Sequence, residues 1–220
     1  MTPLFTDLEN IIKPVRIHNI KTDIPEQKIF SRLGYHKSST IVSDKDFKKI
    51  KKVMREGEIL CSLSGVYMRA EITVNHNEIA IINENLVWKS SKLAGFLKDS
   101  KEIFLVSATA GSKIVEKRDE YLKSGNNFNA VILDAFSSEM AESAVNFIHA
   151  YLEKILKKEG TKVTRLRYSP GYGDFSLEYQ KDFYSLLDLE KSGISLTESF
   201  ILIPEKSITA VIGITGNIDS

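Results

Sequence analysis

From about Asn129 to Lys158 the chain carries an apolar stripe that only a long α-helix can gather on one side. Ile132, Ala135, Phe136, Met140, Ala144, Phe147, Ile148, Tyr151, Leu152 and Ile155 recur at steps of three and four. So long an amphipathic face needs a broad apolar partner, which makes this helix the expected packing spine. The partner is read from strand-like segments on either side of it. Val15 to Ile20 and Val163 to Tyr168 alternate apolar and polar residues. Ile59 to Leu63, Val66 to Val74 and Glu78 to Ile82 read as strands divided by turn residues such as Gly65 and Asn75-His76-Asn77. Glu102 to Val106 is a short apolar run that suits a buried strand, and Phe200 to Ile203 and Ser207 to Ile214 read as closing strands around Pro204.

Shorter helices are read between these strands. Gln27 to Leu33 stops at Gly34, where a left-handed C-cap costs least. Ser43 offers a capping oxygen before an acidic first turn, and Phe47, Ile50, Val53 and Met54 form a stripe that the pattern ends near Gly57. Ser90 to Leu97, Lys113 to Lys123 and Ser176 to about Glu190 complete the set, with Gly193 as the last terminator. Strands and helices are mixed without regular βαβ alternation, so the expected class is α+β: one domain over residues 1–220, with a mainly antiparallel twisted sheet packed by helices.

Composition narrows the function. Hydrophobic residues are 42% and charged residues 27%, the balance of a packed globular protein. With 30 Lys+Arg against 29 Asp+Glu the net charge is +1, which supplies no field for a polyanion, and nucleic acid is not expected as a partner. The basic cluster Lys48, Lys49, Lys51 and Lys52 reads as a solvated helix face. The single cysteine, Cys61, sits in an apolar run and reads as a buried structural thiol, and the lack of any cysteine pair fits a reducing compartment, with the cytoplasm as the expected location. Met1 to Asn10 lacks the basic and apolar regions of a signal peptide, and no run of about 18 apolar residues offers a membrane span.

The common catalytic motifs are absent: there is no phosphate loop, no dinucleotide fingerprint, no nucleophile elbow and no H-E-x-x-H. His18, His36, His76 and His149 are scattered singly, and each reads as structural or surface. The segment with chemical promise is Arg165-Leu166-Arg167-Tyr168-Ser169-Pro170-Gly171-Tyr172-Gly173-Asp174, a strand that runs into a turn rich in Gly and Pro. Its glycines let a planar ligand approach the main chain, and a guanidinium at Arg167 can grip a carboxylate by two parallel hydrogen bonds. The same residues suit an ordinary strand-to-helix turn, with Arg167 on the exposed strand face and Asp174 as a helix cap.

The run Arg167-Tyr168-Ser169-Pro170-Gly171-Tyr172, the helix after it, Gly193 to Phe200 with its Leu196-Thr197-Glu198-Ser199-Phe200, and then Pro204 and Ser207 resemble the C-terminal activation domain of cobalamin-dependent methionine synthase. Ala108-Thr109-Ala110-Gly111, Leu133 to Glu142 and, more weakly, Arg32-Leu33-Gly34-Tyr35 are similar to segments of the same family, so that the resemblance spans about Ile29 to Ile214. The sequence departs from the family after the Gly-Tyr pair, where Gly173-Asp174-Phe175-Ser176 stands, and it ends at Ser220 without the family's further C-terminal extension.

The resemblance implies a module that binds S-adenosylmethionine and presents its methyl group to a cobalamin carried by a partner protein, while an electron arrives from a flavodoxin-like donor. Carried over, Arg167 binds the methionyl carboxylate, the main chain around Ser169 and Gly171 meets the adenosine, Tyr172 lies toward the corrin, and Glu142 is a polar contact from the long helix. Such a chemistry needs positioning more than acid or base groups, because the sulfonium leaves as a neutral thioether. The implied role is an accessory reactivation protein for a separately encoded cobalamin-dependent methionine synthase, a component of that methyltransferase system that is inactive alone. A second reading keeps the fold as a docking module for another corrinoid protein without binding S-adenosylmethionine; a third is an independent small-molecule methyltransferase.

Overall fold

The computed structural model describes residues 13–35, 43–81 and 86–216. Their elements, in chain order, are β1 (Val15–Ile17), α1 (Glu26–Arg32), α2 (Asp44–Leu60), β2 (Ser64–Asn75), β3 (Glu78–Ile81), β4 (Leu86–Lys89), α3 (Ser91–Leu97), β5 (Ser100–Thr109), α4 (Ser112–Lys123), α5 (Asn127–Lys158), β6 (Lys162–Val163), α6 (Gln180–Leu186), β7 (Ser195–Leu196), β8 (Leu202–Ile203) and β9 (Ser207–Thr215). The class is α+β, as expected. Seven strands form one antiparallel sheet in the order β4-β3-β2-β5-β9-β6, with β1 also on β2, and β7 and β8 make a separate two-stranded ribbon. The long strand β2 shares one edge between two partners: its residues 65–67 pair with β1 and its residues 72–75 with β3.

Each face of the sheet carries its own core because strand side chains alternate. On β5, Phe104, Val106 and Ala108 point to a cluster with Ile132, Phe136, Ala144, Ile148 and Leu152 of α5, roofed further by α1, α2 and α4. Ile103 and Leu105 point the other way, into a cluster with Trp88, Leu93 and Leu97, and with Phe175, Phe183 and Leu187 from the C-terminal part. β5 is therefore buried on both sides, which is why it reads as an apolar run rather than an alternating one. Arg69 of β2 fixes the register locally by a two-pronged pair with Glu102 of β5 at 2.8 Å per bond, and reaches Glu159 past the end of α5 at 3.2 Å.

The long helix runs from Asn127 to Lys158, with the Asn126 side chain accepting from the Asn129 N–H. Gly34 stops the helix before it with φ +83°. Ser43 caps α2 as the pattern predicts, by accepting the Asp46 N–H at 3.1 Å. Gly57, however, does not end that helix. It is buried inside α2, where a Cβ would come within 2.9 Å of Phe136, so the glycine serves the crossing of α2 over α5. The helix continues to Leu60, and Ile59 to Leu63 is not a strand.

Further boundaries differ for local reasons. The expected helix 176–190 is broken into short 3-10 turns around α6, with Asp188 in the left-handed region at φ +49° between them. β4, with its buried Trp88, is an additional strand that the residue pattern does not reveal. Of the two closing strands, Ser207–Thr215 is full length, whereas Leu202–Ile203 is a two-residue ribbon partner ending at a cis Ile203–Pro204 bond. Met1 to Asn10, His36 and the expected strand end at Ile82 lie outside the described residues.

Candidate functional site

The segment 163–168, expected as one strand, pairs with β9 only at its ends. β6 supplies Val163, Thr164 N–H donates to the Gly213 carbonyl at 2.8 Å, and Tyr168 rejoins by exchanging two backbone bonds with Val211. In the middle, the Thr164 hydroxyl replaces main chain: it accepts the Gly213 N–H at 3.0 Å and donates to the Leu166 carbonyl at 2.9 Å. The chain bulges away from the sheet there, leaving Arg165 and Leu166 exposed and turning Arg167 back toward α5.

Arg167 meets one face of α5, where Glu142, Asn146 and His149 follow at helical spacing. Its Nη2 donates to Glu142 Oε2 at 3.3 Å, its Nη1 to Asn146 Oδ1 at 2.9 Å, and the same Nη1 lies 3.3 Å from His149 Nδ1. The Arg167 side chain keeps 20% of its exposure and that of Glu142 43%. Burial draws the guanidinium below its ordinary pKa and the Glu142 carboxylate opposes this, while the group stays a cation at any physiological pH. The reading of Arg167 as lying simply on an exposed strand face is thus replaced by a half-buried cation held on a helix.

The turn beyond it is set by two glycines in the left-handed region, Gly171 at φ +90° and Gly173 at φ +59°. Gly171 N–H donates to the Phe175 carbonyl at 2.7 Å, and Tyr172 N–H to the Ser169 carbonyl at 3.2 Å, so the main chain of the turn is partly used internally. Phe175 anchors the turn from beneath, stacked on Tyr179 at 5.2 Å and tilted against Trp88 at 5.3 Å. Tyr172 projects outward with 69% of its surface exposed. Ser169 is half-buried and Gly171 exposed. Asp174 caps α3 rather than its own helix, accepting from Ser90, from the Ser91 N–H at 2.9 Å and from the Ser91 hydroxyl at 2.7 Å, and these bonds hold its carboxyl well below the usual range.

The structure therefore brings Arg167 and Glu142 together directly and carries Ser169, Gly171 and Tyr172 on the adjoining turn. It adds Asn146 and His149, which the sequence pattern passes over because single polar residues on a long helix look solvated. Their only local signal is the four- and seven-residue step from Glu142. The segments around Thr109, Asp134 and Ser138 make a different polar cluster: Lys206 bonds Asp134 at 2.7 Å and Ser138 at 3.0 Å, and Arg118 bonds Asp134 at 3.1 Å, fastening the loop after Pro204 to α4 and α5. Among the described residues no group of His, Cys, Asp and Glu could hold a metal ion, and no helix is long and apolar enough to cross a membrane.

Fold and site together define an α+β protein in which a glycine turn and one face of a long helix flank a half-buried guanidinium. The chain belongs to the family described as vitamin B12 dependent methionine synthase, activation domain, whose model matches residues 89–217. A similar solved structure is the crystal structure of the MetH reactivation domain bound to AdoHcy, with a TM-score of 0.67 and 15% identity, covering 94% of this chain and 79% of that one. At that identity the likeness is one of fold. No curated protein matches the chain.

Proposed function

We propose that this protein binds S-adenosylmethionine and serves the reductive reactivation of a cobalamin-dependent methionine synthase encoded separately. Family membership supports the role, and the similar structure with bound AdoHcy supports the ligand class. The observation that carries the reading is the Arg167 guanidinium, half-buried with 20% of its side chain exposed, next to an exposed turn shaped by the left-handed glycines Gly171 and Gly173. Arg167 grips the α-carboxylate of the methionyl part, the main chain around Ser169 and Gly171 meets the adenosine, Glu142 is the polar contact on the helix side, and exposed Tyr172 faces the corrin of the partner.

The partner's cobalamin, reduced by one electron from a flavodoxin-like donor, supplies the nucleophile that accepts the methyl group. This chain's task is to fix the sulfonium for attack, and a carboxylate clamp suffices for that because the thioether departs neutral. The protein is one domain over residues 1–220 and works in the cytoplasm, which its lone half-buried Cys61 suits.

Calorimetric titration with S-adenosylmethionine tests the ligand, with Arg167→Ala expected to abolish measurable heat while the fold persists. Reconstitution tests the role: inactive cob(II)alamin synthase, reductant and S-adenosylmethionine should regain the methylcobalamin spectrum only when this protein is added. A second reading, a corrinoid-protein docking module without the ligand, is favoured by one observation, that Glu142, Asn146 and His149 already engage the guanidinium. No heat on titration beside capture of the synthase would select it.

A further inference from the structure

We infer that His149 is the positioning residue of the Arg167 clamp, and that it holds the guanidinium only while its imidazole is neutral. The inference rests on the reading of Arg167 given above. His149 is buried on α5 between two fixed partners. On one side its Nε2 lies 3.0 Å from the Thr164 carbonyl, which can only accept, so Nε2 carries the ring proton. Nδ1 is thereby left with a lone pair, and it faces Arg167 Nη1, a group that can only donate, at 3.3 Å. The tautomer is chosen by a backbone oxygen, and the choice turns the ring into an acceptor for the clamp.

The geometry also explains the bulge before Arg167. Thr164 is the residue whose hydroxyl interrupts the pairing with β9 and whose carbonyl orients His149, so one threonine both releases Arg167 from the sheet and sets the ring that receives it. A second proton on His149 would set an N–H against an N–H and a cation against a cation. Burial and the facing Arg167 disfavour that protonation, while the Thr164 carbonyl and Glu153 on the same helix favour it. The other charged groups facing this pair are Glu142, on the far side of the guanidinium, and Glu153 on the same helix.

The test uses His149→Gln, whose amide can donate to Thr164 and accept from Arg167 at every pH, and His149→Leu, which fills the space without accepting. S-adenosylmethionine affinity is measured by calorimetry from pH 5 to 8. Arg167 Nε–H ¹⁵N relaxation is recorded on the ligand-free protein, with cooperative melting as the check on fold. The expected outcome is a roughly fivefold to tenfold loss of wild-type affinity toward acid pH, the scale of one net intramolecular hydrogen bond. His149→Gln stays flat and near wild type, and His149→Leu is weak throughout, with a disordered guanidinium. Equal affinity and equal guanidinium order in wild type and His149→Leu at pH 8 overturn the inference. If the wild type binds no ligand at any pH, the functional reading fails instead, and the relaxation data alone decide whether His149 positions Arg167.

Discussion

Asp174 reaches across from the glycine turn to the start of α3, where its carboxylate takes the Ser91 N–H at 2.9 Å. This one relationship ties the candidate ligand turn to the sheet face below, since α3 buries Leu93 and Leu97 in the core beneath it. A carboxylate at a helix N-terminus satisfies donors the helix cannot, and it does so here for a helix more than eighty residues earlier in the chain.

Asp174→Asn should lower the melting temperature at pH 7, because the amide brings no charge to the cluster. The carboxyl is held below its ordinary value by Ser90 and Ser91, so its contribution is present above the unfolded value of about pH 4 and is lost as pH falls toward the folded one. Thermal melts between pH 7 and 2 should show the wild type falling more steeply than the variant below about pH 4. Parallel curves would rule this out.

Gly65→Ala should be severe. A Cβ there would stand 2.3 Å from Ile148 Cδ1 and 2.6 Å from the Ser107 backbone oxygen of β5. The side chain of Ile148 can rotate, but a strand carbonyl in mid-sheet cannot retreat, so a loss of roughly 3 kcal/mol or more is expected in urea unfolding. By contrast Gly34→Ala meets nothing within 4 Å and costs only its left-handed φ, about 1 kcal/mol.

Phe183→Ala removes the ring stacked on Trp88 at 5.4 Å and 4°. Both rings are fully buried, and the cavity should cost about 3–5 kcal/mol. Trp88 is the single tryptophan, so its emission reports the site directly, and a red shift in the folded variant marks water reaching the gap.

Burial pushes the Cys61 thiol up to about 12, and its sulfur lies 3.6 Å from the Ala110 carbonyl. Almost no thiolate exists at pH 8, so a disulfide reagent should label the native protein more than ~100-fold more slowly than the urea-unfolded chain. Comparable rates would show that the thiol is open.

Legibility followed the range of the interactions. The stripe from Ile132 to Ile155 announces α5 because a helix face is a property of near neighbours, and the Ser43 cap and the Gly34 stop are equally local. Gly57 misleads for the opposite reason: as a local signal it is a helix end, and its true partner is Phe136, far along the chain. Arg167 stood out by its neighbours Gly171 and Gly173, whereas Asn146 and His149 had only their helical step from Glu142 to mark them.

The amino-acid order alone determined the α+β class, the spine helix, the turn with its glycines and the guanidinium before it. Tertiary structure decided which face of α5 that guanidinium meets, that Thr164 rather than main chain pairs with Gly213, and that Asp174 caps a distant helix. Periodicity records how each segment divides its own sides between core and water. It carries no information on which two sides, far apart in the chain, will close on each other, and the clamp exists only at that closure.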